Sequence, residues 1–125
     1  MKHFVTIALI AVGLLHLYPA VGVLGAARLE ALYAIPVASA DLELLLRHRA
    51  VTFGMLGALL LAAAWHPSLR PVALVAAIVS MASFVALALP LSGHGPAVAR
   101  VFWADVAGLA LLLFAVVAQA RAARG

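Results

Sequence analysis

A few ionisable side chains interrupt an otherwise apolar chain where charge is expensive. Asp105 sits inside Val101 to Ala120, a stretch otherwise free of Asp, Glu, Lys and Arg. His16 sits inside another such stretch, Phe4 to Ala27. Arg47, His48 and Arg49 stand directly before a third, and Arg100 directly before Val101. Glu30 lies between the first and second, and His94 in a Gly- and Pro-containing segment, residues 90–96. Carboxylate, imidazole and guanidinium groups are the parts from which proton relays and headgroup-recognition sites are made.

Elements long enough to carry these groups follow from composition. Of 125 residues, 68% are hydrophobic and 10% charged. Soluble domains run near 45–50% and 25%, and a small domain cannot hide so much apolar surface from water. Cysteine is absent, which removes disulfides, thiolate metal sites and cysteine nucleophiles. The net charge is +4, but the basic residues form no continuous stripe, so no nucleic-acid partner is expected.

Four stretches without Asp, Glu, Lys or Arg, the last broken only by Asp105, cover 4–27, 50–69, 71–99 and 101–120. About 20 apolar residues span a bilayer's hydrocarbon as a helix, the form that pairs its own backbone groups there. The chain, 1–125, therefore reads as one all-α domain, an integral membrane four-helix bundle running up-down-up-down. Its helices are expected at about 4–25, 43–65, 69–90 and 98–120. The first is expected to be retained rather than cleaved as a signal, since it is long and contains His16 and Pro19. Residues 26–34 read as a short helix at the headgroup boundary. Ser39 reads as an N-cap, with Asp41 and Glu43 in the first turn. Basic residues near the ends favour both termini on the cytoplasmic side.

Antiparallel neighbours would bring His16, Arg47, His48, Arg49, His94, Arg100 and Asp105 into one half of the bilayer, with Glu30 at its rim. The other half holds little besides Thr6 and terminal charges. Asp105 falls about 10 Å below the start of its helix, and an acid at helix centre costs about 2.5–3.5 kcal/mol on insertion scales. Arg100 is badly placed around the same helix to pair with it, so Arg47, Arg49 or His16 are the expected partners. Two readings stay open for Asp105: an ion pair that locks packing, or a binding or proton-handling group. His16 is either a hydrogen-bonded packing residue or a ligand contact. The basic triplet either anchors the interface or recognises an anionic group. No metal site is expected: HExxH and ExxH spacings are absent, and arginines flank His48. No P-loop, GxSxG or Rossmann fingerprint occurs, so a non-enzymatic role is favoured and no cofactor is implied.

The runs His16-Leu-Tyr-Pro-Ala-Val-Gly-Val-Leu-Gly25, Arg28-Leu-Glu-Ala-Leu-Tyr33, Leu44-Leu-Leu-Arg-His-Arg-Ala-Val-Thr-Phe-Gly54 and Arg100 to Asp105 span nearly the whole chain. Together they resemble small bacterial four-helix membrane proteins of the DoxX-like group. The resemblance implies a bacterial inner-membrane protein, and by analogy a quinone-linked oxidoreductase subunit. Some members carry the name phosphopantetheine adenylyltransferase, which implies a HxGH motif in a soluble α/β fold. Leu91-Ser92-Gly93-His94 lacks the first histidine, so that activity is not expected. The expected role is binding of a membrane lipid or quinone-like molecule in a one-sided polar pocket, or service as an accessory subunit to a membrane protein partner or homo-oligomer. The alternative is a small proton-linked transporter.

Overall fold

Local chemistry sets where each helix starts and stops. The computed structural model describes residues 2–124. Its helices are α1 (Lys2–Leu17), α2 (Ala26–Tyr33), α3 (Ala40–Trp65), α4 (Arg70–Ala88) and α5 (Pro96–Ala122). Ser39 starts α3: its Oγ accepts from the Leu42 N–H at 3.1 Å, and Asp41 and Glu43 occupy the positive end of the helix dipole. The helix thus begins three residues before the expected 43. It stops at His66, whose extended backbone (φ −114°, ψ 93°) suits the residue before Pro67.

The first apolar stretch is not one uniform helix. Pro19 has no N–H to give the Leu15 carbonyl, and α1 tightens into a 3-10 segment over Tyr18–Leu24. Gly25 closes that segment at φ 134°, a backbone region that side chains avoid. α2 then ends on Ala34 in the left-handed region, φ 53° and ψ 38°.

α1 and α3 run antiparallel at close range. Gly13 faces Leu61, Leu17 faces Gly57, Ala20 faces Gly54 and Gly22 faces Ala50. A Cβ on Gly57 would lie 2.9 Å from the Gly13 carbonyl oxygen, so the glycine is what lets the two backbones meet. Gly108 of α5 does the same for Met81 of α4, whose Sδ would lie 2.9 Å from an added Cβ.

Packing is concentrated at one end. The buried cluster joins Val5, Leu9 and Val12 of α1, Leu60 of α3, Leu74 and Met81 of α4, and Leu112 of α5. These come from the early part of α1, the late part of α3, the first two-thirds of α4 and the late part of α5. Arg70 closes this end. It donates to the Ala63 and Ala64 carbonyls at 3.2 and 3.1 Å and to Thr6 Oγ1 at 3.2 Å. The His66 ring nitrogen Nδ1 donates to the Ala62 carbonyl at 3.0 Å. The Ala62 carbonyl already accepts from the His66 backbone N–H at 2.9 Å, whereas Pro67 has no N–H to give the Ala63 carbonyl, which leaves it for Arg70.

Four helical segments are long and apolar enough to cross a membrane: His3–Leu24, Ala40–Trp65, Pro67–Ala88 and Pro96–Ala122. Between 17 and 33% of each apolar window is buried within the chain. Ile7, Leu44, Met55, Val75, Leu87 and Phe114 are among the large apolar side chains left exposed, far more than a water-facing surface would carry.

Candidate functional site

Away from the packed end, α1, the 3-10 segment, α2, α3 and α5 border an open-sided cavity of about 340 Å³, within the usual range of ligand pockets, roughly 300–1,000 Å³. Its walls include Leu15, His16, Pro19, Leu32, Tyr33, Phe53, Val101 and Asp105, with Tyr18 and Arg100 also lining it. Apolar walls with a few convergent polar groups are what an amphiphile's site requires.

His16 is 2% exposed and Asp105 8%, the buried polar residues among those described. The end of α1 supplies His16 and the third turn of α5 supplies Asp105. The His16 ring is held from behind: Nδ1 bonds the Val12 carbonyl at 2.9 Å. A carbonyl oxygen only accepts, so Nδ1 is the protonated nitrogen. The other nitrogen, Nε2, is buried and has no hydrogen-bond partner. Phe53 packs on the same ring, with centroids 5.7 Å apart and planes at 58°.

Asp105 also borders a second cavity of about 250 Å³, which it shares with Arg49, Thr52, Phe53, Ser80, Ser83 and Phe84. The Arg49 guanidinium lies between two aromatic rings, 4.7 Å from the Phe53 centroid and 5.2 Å from that of Phe84. Cation–π contact of this kind partly replaces the water an arginine loses on burial. Arg49 and Asp105 border this groove together, with no ion pair within 4.0 Å between them. Among the described residues the one ion pair within 4.0 Å is Arg47 with Glu43, at 3.4 Å.

The expected ionic partnership of Asp105 with Arg47, Arg49 or His16 is therefore absent. The Arg49 head packs on two aromatic rings and the His16 ring bonds the Val12 carbonyl instead. His16, Arg100 and Asp105 do share one cavity, and Arg49 and Asp105 share the adjoining one. Arg47 lines neither. Its Nε donates to the Val23 carbonyl at 2.9 Å, which ties α3 to the 3-10 segment. Glu30 is exposed and caps a turn, Oε1 accepting from the Val37 N–H at 2.9 Å. His48 and His94 are exposed and line neither cavity.

Tyr33 and Phe53 escaped the sequence reading as site walls. Tyr33 near the end of a short segment reads as an interfacial aromatic, yet it is buried and lines the larger cavity. Its spacing from Leu29, also buried, was the available signal, since i and i+4 share a helix face. Among the described residues no three His, Cys, Asp or Glu side chains converge as a metal site would require.

No protein-family model, no curated protein and no solved structure matches the chain.

Proposed function

We propose that the protein is a four-helix transmembrane bundle that holds a small amphiphile, lipid-like or quinone-like, in the cavity between α1, α2, α3 and α5. One observation carries this reading: His16, whose buried Nε2 has no hydrogen-bond partner, lines a cavity of about 340 Å³ whose other walls are mainly apolar. An unsatisfied buried polar atom costs about 1–3 kcal/mol, a cost that a bound polar head would offset. The exposed apolar faces suit acyl chains, and the basic residues near the chain ends suit cytoplasmic termini in a bacterial inner membrane.

The closed packing of Leu9, Leu60, Met81 and Leu112 weighs against a transporter, which needs a polar path through both halves. Purification in mild detergent, followed by native mass spectrometry, tests the proposal. The expected result is a retained small molecule, reduced in amount by His16→Phe and by Asp105→Asn. A protein recovered with an empty cavity, and taking up no added amphiphile, would sink the reading. A stoichiometric co-purifying protein with no retained small molecule would favour the accessory-subunit role instead.

A further inference from the structure

The hydrogen-bonding sense of the cavity narrows what it takes. The Val12 carbonyl fixes the proton of His16 on Nδ1, so in the neutral imidazole Nε2 presents a lone pair. That lone pair is buried and unmatched. Asp105 lines the same cavity and keeps at least one acceptor oxygen in either protonation state. Arg100, Tyr18 and Tyr33 bring donors to the same cavity, so the group left unmatched is the Nε2 acceptor, and what satisfies it is a head that brings a proton. Phe53, Leu15, Leu32 and Val101 leave apolar surface for the rest of such a molecule.

We propose that the cavity selects amphiphiles whose head carries a hydrogen-bond donor, a phenolic or alcoholic hydroxyl, which donates to His16 Nε2. The selection rests on the cavity being an amphiphile site. A carbonyl- or ether-headed molecule of the same shape leaves Nε2 unmatched and buried, and binds more weakly. His16 thus sets specificity through its acceptor lone pair, while the Val12 carbonyl acts through His16 by choosing which nitrogen carries the proton.

The test uses two probes that differ at the head alone: para-nonylphenol, with a hydroxyl, and para-nonylanisole, with a methoxy group. Full-length protein in lipid nanodiscs is titrated with each, and occupancy is read by native mass spectrometry. The phenol is expected to bind about tenfold more tightly than the anisole, the worth of one hydrogen bond to an otherwise orphaned acceptor. In His16→Phe the preference should fall to within about twofold. Histidine-labelled nitrogen NMR gives a readout that does not need the variant to fold well. The Nε2 resonance of His16 should move upfield with the phenol and stay in place with the anisole. Equal binding of the two probes to the wild type would overturn the donor requirement while leaving the amphiphile site standing. Binding of neither would remove both. A preference that survives His16→Phe would shift the contact to Asp105 and overturn the assignment to His16, and a preference for the anisole would mean that Nε2 donates, which also overturns it.

Discussion

His16 and Asp105 face one cavity from helices α1 and α5, both buried, and neither bonds the other. A charged group held from water without a direct counter-ion costs stability. Replacing Asp105 by its neutral isostere asparagine should therefore stabilise the detergent-solubilised protein, by about 1–3 kcal/mol, while weakening retention of the amphiphile. Thermal unfolding followed by circular dichroism, paired with mass spectrometry of the retained molecule, checks both halves. A loss of stability would show that Asp105 serves packing.

Arginines at the two ends of the bundle should behave differently. Arg70 is partly buried and donates to two carbonyls and to Thr6 Oγ1. Hydrogen bonds to charged groups are each worth about 1.5–3 kcal/mol, so Arg70→Ala should cost about 2 kcal/mol or more. The Arg47–Glu43 pair is an exposed i,i+4 contact, and Glu43→Gln, which also removes a charge from the first turn of α3, should cost about 1 kcal/mol or less. Denaturation of the two variants in the same detergent ranks them.

The α1–α3 seam tolerates no added bulk at its centre. Gly57→Val would place carbon 2.9 Å from the Gly13 carbonyl oxygen, where backbone rather than a flexible side chain must yield. The expected loss is about 2–3 kcal/mol. Gly95, around which no neighbour lies within 4 Å, supplies the comparison: Gly95→Ala should change stability by about 0.5 kcal/mol or less.

Ala34 is the non-glycine residue with positive φ among those described, at 53°. The left-handed conformation costs an L-residue about 1–2 kcal/mol, which glycine avoids. Ala34→Gly should raise the melting temperature measurably and leave the cavity intact. An unchanged or lower melting temperature would mean that greater freedom of the unfolded chain cancels the relief.

The four long helices were legible because lipid-length apolar runs leave few other structures open to the backbone. The gathering of His16, Arg49, Arg100 and Asp105 in one half followed from antiparallel order alone. Contacts that depend on side-chain reach were not legible. Asp105 and Arg49 lie on neighbouring helices, yet two phenyl rings decide where the guanidinium rests. Pro19 was visible in the first apolar stretch, but whether a proline kinks, tightens or ends a helix depends on what packs beside it. Arg70 reads as a loop charge until the fold brings Thr6 and the end of α3 together. Tyr33 and Phe53 became walls only once α2 folded back against α3 and α5.

The half of the bundle around Leu9, Leu60, Met81 and Leu112 is closed, and the cavity lies wholly on the other side of it. Substitutions among those four residues should therefore register in unfolding, whereas the walls on the far side can change shape without a comparable loss.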